Sequence, residues 1–269
     1  MMEIKVNGHK SFCYTGGKAF DATKPTVVFI HGALNDHSVW ILQTRYLANH
    51  GWNVLAPDLP GHGQSAGPAP ATVQDAANFV LALLDAAGVA KAALAGHSFG
   101  SLITLEAAAR APERVSHLVL AGTAFPMKVS PALLDAALNQ PQKAIDMVNV
   151  FSHSMLAPPP SALGPGTWVF GGSRALMRRV LASNPVVNVF HAGFKACDDY
   201  AGGEAAMQAD TAPTLFVLGR KDQMTPPKAA QALIRSAKNG KVVLLDAGHQ
   251  MMTEDPDGVL FAIRDFLAQ

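Results

Sequence analysis

The run Gly96-His97-Ser98-Phe99-Gly100 places a hydroxyl between two glycines, and its neighbours give it a setting. A short apolar run, Ala92–Ala95, precedes it and a helical pattern over Ser98–Ala109 follows at once. A strand that turns straight into a helix must bend sharply, so the residues two before and two after the turn must be small. The same bend lifts the Ser98 hydroxyl clear of the sheet, at a helix N-terminus where N–H groups favour negative charge. That is the chemistry of a nucleophile. A serine hydroxyl needs a general base, and an imidazole base needs a carboxylate to fix its tautomer.

His249 has the right setting for the base. It follows the apolar run Val242–Leu245 through Asp246-Ala247-Gly248, at the C-terminal end of an expected strand, where open α/β sheets bind ligands. Asp222 follows another such run, Thr214–Leu218, in Gly219-Arg220-Lys221-Asp222.

These residues need a scaffold that brings strand ends together. Apolar runs at Thr26–Ile30, Asn53–Ala56, Ala92–Ala95, Val115–Ala121, Thr214–Leu218 and Val242–Leu245 lack polar alternation, as strands buried on both faces do. Helical patterns lie between them at about Ser38–His50, Thr72–Ala87, Ser98–Ala109, Pro226–Ala237 and Pro256–Ala268. Ile4–Val6 and Ser11–Tyr14, across Asn7-Gly8, read as an antiparallel hairpin at an edge. The expected fold class is α/β: a doubly wound, mostly parallel sheet of about eight strands with helices on both faces. The alternation breaks over residues 123–210, where helical pieces at Ser130–Leu138, Lys143–Ser152, Ser173–Ala182 and Val186–Lys195 stand among prolines. The expected organisation is a core of residues 1–122 and 211–269 with a helical cap insertion of residues 123–210.

With these motifs in order, the chain resembles the α/β-hydrolase family, and within it the Ser-nucleophile members that carry a helical cap. The resemblance rests on the Ser98 turn, on His31-Gly32-Ala33-Leu34 after a strand, on Asp58-Leu59-Pro60-Gly61-His62-Gly63, and on the Asp222 and His249 loops. It implies that the N–H groups of Ala33 and Phe99 form an oxyanion hole, with Leu34 the weaker choice of donor. It places Asp222 at the family's acid position and makes the insertion a lid. Residues expected to bind substrate are Leu34, Met127, Phe151, Met155, Met224 and Met251; core packing is the competing role for each apolar member of the insertion. Five methionines fall in the insertion and three more, Met224, Met251 and Met252, flank the acid and base, as an adaptable apolar pocket would require. Arg174, Arg178 and Arg179 either clamp a substrate carboxylate or form a solvated face.

Composition trims the alternatives. With 21 Lys and Arg against 20 Asp and Glu, the net charge of +1 gives no basic excess for nucleic acid. The most apolar stretch, Val80–Gly96, is broken by Asp85 and Lys91, so no membrane span is expected. The N-terminus reads as no signal peptide and the two distant cysteines as reduced thiols, which points to the cytoplasm. No metal-ligand spacing or phosphate loop is apparent, so neither metal nor cofactor is expected. The expected partner is a small-molecule acyl substrate; the oligomeric state stays open. The expected activity is that of a carboxylesterase-like serine hydrolase acting on a small, largely apolar ester, thioester or related acyl compound through an acyl-enzyme. The competing readings are a C–C bond hydrolase of a dienoic diketo acid and a non-enzymatic ligand sensor of the same fold.

Overall fold

The computed structural model describes residues 1–21, 23–154 and 168–269. Met2–Val6 (β1) and His9–Tyr14 (β2) form the antiparallel hairpin, and Asn7 and Gly8 take the positive φ angles (50° and 82°) that a tight hairpin turn demands. Then come Thr26–Ile30 (β3), Ile41–Asn49 (α1), Asn53–Pro57 (β4), Val73–Ala86 (α2), Ala92–His97 (β5), Phe99–Arg110 (α3) and Val115–Ala121 (β6). Five helices follow: Pro131–Asn139 (α4), Pro141–Ser152 (α5), Val169–Ser183 (α6), Val189–Asp199 (α7) and Gly203–Ala209 (α8). The chain closes with Thr214–Gly219 (β7), Gln231–Ser236 (α9), Gly240–Leu245 (β8), Met251–Glu254 (α10) and Pro256–Leu267 (α11).

The eight strands make one sheet in the order β1-β2-β4-β3-β5-β6-β7-β8, antiparallel over β1, β2 and β4 and parallel from β4 to β8. Successive side chains of a strand point to opposite faces. In β3, Val28 and Ile30 join one core with Val80, Leu83, Leu102 and Ile103 of α2 and α3. Val27 and Phe29 join the other with Leu47 of α1 and Val259 and Ile263 of α11. Both faces are covered by helices, which is why the central strands show no polar alternation and why so few residues are charged. Thr72 caps α2 by accepting the Asp75 N–H at 3.0 Å, while its own hydroxyl reaches the Asp75 carboxylate at 2.7 Å.

The helices between β6 and β7 divide by packing. Leu133, Ala137, Ile145, Val148, Met177, Val180, Phe190 and Phe194, from α4 to α7, share a third apolar cluster with Leu34. Helix α8 instead packs on α3 and α9, with Ala206 and Met207 in the first cluster. Its short Ala-rich sequence carries no full helical stripe, so pattern alone gave no sign of it. The helix expected from Ser38 opens as a 3-10 turn over His37–Trp40, capped by Asp36. Phe190 is fully buried in the third cluster, so Phe190→Ala should cost about 3–5 kcal/mol. Hydrogen exchange should then speed up first in α4 to α7, ahead of the sheet.

Candidate active site

Parallel strands end on the same edge, and the loops after β3, β5, β6, β7 and β8 carry the expected site residues there. Ser98 sits between β5 and α3 at φ 53°, ψ −120°, a conformation that non-glycine residues seldom adopt. The turn is held on both sides. The Ser98 N–H donates to the Ala121 carbonyl (2.9 Å), and the Ser98 carbonyl accepts from the Ser101 N–H (2.8 Å) and hydroxyl (2.6 Å). A Cβ on Gly96 would collide with the Gly100 carbonyl, and one on Gly100 with the Ile30 and His31 carbonyls. The two glycines are therefore what lets strand, helix and the loop after β3 approach one another.

His249 Nδ1 donates to Asp222 Oδ2 at 2.8 Å, both side chains being almost fully buried. The other Asp222 oxygen accepts the Met224 and Thr225 N–H groups, each at 2.8 Å. Burial alone would raise the Asp222 pKa, but the facing imidazole and the hydrogen bonds from His249 and Thr225 outweigh it and hold the carboxyl at about 2. The Thr225 hydroxyl lies 2.8 Å from Asp222 Oδ2, 2.9 Å from the Gly122 carbonyl and 3.0 Å from His249 Nδ1. Thr225 was not singled out from the sequence, although its place three residues after the acid was a signal. The Ser98 hydroxyl makes no hydrogen bond among the described residues; Ser98 and His249 meet as two walls of one cavity.

That cavity encloses about 260 Å³, and Met127, Phe151 and Met224 line it. Leu133, Met147, Phe194 and Cys197 also line it; nothing in the helical patterns had marked them off from core residues. Leu34 lies in the third apolar cluster and Met251 in the second, and neither borders the cavity. Met155 lies outside the described residues. Ala33 borders a second, smaller cavity shared with Ser98 and His249, which puts it beside Ser98. The Phe99 N–H stands at the first position of α3, where an N–H has no partner within its own helix. Arg174 pairs with Asp146 (2.9 Å), Arg178 with Gln142 (2.8 Å) and Arg179 with Asp36 (2.7 Å), all away from the large cavity.

Other histidines brace the loops. His31 Nε2 accepts the Leu59 N–H at 3.0 Å, so its Nδ1 carries the proton and donates to the Gly32 carbonyl. His97 Nε2 donates to the His249 carbonyl at 2.9 Å and so ties the Ser98 turn to the His249 loop. Asp36, His37 and Asp58 bring their ligating atoms within 4.8 Å of one another. Those atoms are engaged with Ser38, Arg179 and Gln64 and with one another, so the group reads as a brace between the β3 and β4 loops. Among the described residues, no helix is long and apolar enough to cross a membrane.

Burial holds His97 down at about 3 and His62 at about 4, and lowers His31 and His153 as well. Unfolding lets each of them bind a proton below its ordinary pKa of about 6.5. The native state therefore loses stability as pH falls below about 6.5, by up to about 1.4 kcal/mol per pH unit for each group. The melting temperature should drop from pH 7 to pH 5; a flat profile would contradict the neutral, buried assignment. Thr225→Val keeps the shape and removes the hydroxyl. It should lower kcat/KM about tenfold, the worth of one buried hydrogen bond, and lower the melting temperature by a few degrees, because the buried Gly122 carbonyl loses its donor.

A family model described as the alpha/beta hydrolase fold matches residues 25–155. The chain is 28% identical over 243 residues to the dihydrolipoyllysine-residue acetyltransferase component of the acetoin cleaving system of Pseudomonas putida, a match covering 87% of this chain and 60% of that protein. The chain thus spans less than two thirds of that relative's length. It is 29% identical over 256 residues to a pimeloyl-[acyl-carrier protein] methyl ester esterase of Neisseria meningitidis, covering 92% of this chain and 94% of the esterase. The enol-lactonase of Burkholderia xenovorans shares the fold over 100% of both chains, with a TM-score of 0.84 at 24% identity. With the strand order, the turn at Ser98 and these matches together, the chain has the alpha/beta hydrolase fold.

Proposed function

We propose that the protein is a serine hydrolase that cleaves a small, largely apolar carboxylic ester, thioester or related acyl compound through an acyl-enzyme. The observation that carries this reading is the meeting of Ser98 and His249 in one apolar cavity, with Asp222 behind His249. Ser98 stands on a strained turn, His249 shares its cavity, and Asp222 holds His249 Nδ1 at 2.8 Å. The carboxylate fixes the tautomer that leaves Nε2 free to take a proton. Ser98 Oγ attacks the acyl carbon and its proton passes to His249. The oxyanion rests on the Ala33 and Phe99 N–H groups, and the protonated imidazole then gives its proton to the leaving alcohol or thiol.

Methionines 127, 147 and 224 with Phe151 and Phe194 make a wall that adapts to the acyl chain. Helices α4 to α7, seated over this wall as a lid, would set the chain length accepted. All three arginines lie outside the large cavity, and the lysine that lines it, Lys128, donates to the Asp198 carbonyl at 2.6 Å; this favours acyl transfer over C–C cleavage, which would need an anion clamp facing Ser98.

Ser98→Ala should abolish turnover of p-nitrophenyl acetate and labelling by a fluorophosphonate; full activity in that variant would remove Ser98 from the mechanism. Wild type should turn over many equivalents. A single slow turnover coupled to recruitment of a partner would favour the sensor reading instead. Across p-nitrophenyl esters of rising acyl length, Met147→Ala should shift the optimum to longer chains.

A further inference from the structure

The second cavity beside Ser98 differs in kind from the first. It holds about 20 Å³ and is bordered by Ser98 and His249, by Gly32 and Ala33 of the loop after β3, and by Asn35, His97 and Ser152. A volume of that size suits a single water molecule. The last three residues are 4%, 1% and 0% exposed. Each brings a buried polar atom without a partner among the described residues: Asn35 Oδ1, His97 Nδ1 and Ser152 Oγ. Leaving three such atoms unpaired around one small space is costly, and native proteins avoid it.

The chemistry of the three atoms names their ligand. His97 Nε2 donates to the His249 carbonyl, a group that only accepts, so Nδ1 presents a bare lone pair. A Cβ built on Gly32 would lie 3.1 Å from that Nδ1 and 3.3 Å from Ser98 Cβ, so the lone pair looks into the space beside the nucleophile. Asn35 Oδ1 is a second acceptor, and the Ser152 hydroxyl can donate. Two acceptors and a hydroxyl fit a small molecule that donates and accepts at once.

We propose that this cavity is the station of the water that deacylates the enzyme. The inference rests on the acyl-enzyme reading above. In the step, a water held there gives one proton to His249 Nε2 and keeps the other, directed at His97 Nδ1 or Asn35 Oδ1. One of its lone pairs accepts the Ser152 hydroxyl and the other attacks the acyl carbon, forming the new C–O bond. The bond from that carbon to Ser98 Oγ then breaks, and Oγ recovers its proton from His249. The products are a carboxylic acid and free Ser98, so atoms and charge balance. The large apolar cavity keeps the acyl chain, and the two cavities share Ser98, Phe194, Met224 and His249 as walls.

The test measures the lifetime of the acyl-enzyme by quenched flow and intact mass, using two esters with one acyl group and different alcohols. Ser152→Ala and Asn35→Ala should each lengthen that lifetime about tenfold, equally for both esters, because the acyl-enzyme is common to both. Fluorophosphonate labelling needs no water and should stay within about threefold of wild type, which also reports an intact fold. Unchanged lifetimes in variants that still label would overturn the proposal and leave the acyl-enzyme reading standing. A loss confined to acylation and graded with the alcohol would assign the cavity to the leaving group and overturn the proposal too. No adduct on Ser98 in the wild type would overturn the acyl-enzyme reading itself, and this proposal with it.

Discussion

One backbone constraint governs the arrangement of the site: Ser98 must hold φ 53°, ψ −120° between a buried strand and a buried helix. Such a conformation costs about 1–3 kcal/mol and survives only where its surroundings over-determine it. Here they do. Four hydrogen bonds hold the turn and its Ser101 brace, and the missing side chains of Gly96 and Gly100 let three backbones touch. The strain is thus met by the burial of β5 and α3 in the double core. What it secures is a serine side chain that cannot fold back onto the sheet.

The other site residues depend on the same sheet edge. Because β3, β5, β6, β7 and β8 run parallel, their C-terminal loops meet without any long-range device. Gly122, at φ 53°, keeps clear the space where the His97 and His249 rings sit: a Cβ there would lie 3.2 Å from atoms of both. His97 then links the loops after β5 and β8, Thr225 links those after β6, β7 and β8, and Glu254 ties Gly248 to Ser154 beyond α5. The Asp222–His249 pair is therefore braced by two buried, neutral neighbours, His97 and Thr225, which keeps its electrostatics strong in a low-dielectric setting.

Much of this was legible in the sequence because it depends on local rules. The strand–turn–helix context of Ser98, the hairpin at Asn7-Gly8 and the cap at Thr72 each follow from a few adjacent residues. The scarcity of charge followed from a sheet covered on both faces. The cavity wall was harder to read. Met127, Phe151 and Met224 reach it, while Leu34 and Met251 pack into cores, yet all five look alike as apolar residues near the site. Which of them faces a cavity depends on how α4 to α7 pack against the sheet edge, and a helical stripe does not encode that angle. Thr225 and the Asn35, His97 and Ser152 group escaped notice for the same reason: their roles arise from residues distant in sequence. Helix α8 was invisible for want of a stripe.

The central claim is that Ser98, raised on its strained turn, is the group that attacks. The direct measurement is to treat the protein with a fluorophosphonate, digest it and locate the adduct by mass. The account predicts one equivalent of adduct, on Ser98, lost in Asp222→Asn, where the imidazole tautomer is no longer fixed. An adduct on another residue, or labelling of Ser98 that proceeds equally well without Asp222, would contradict it.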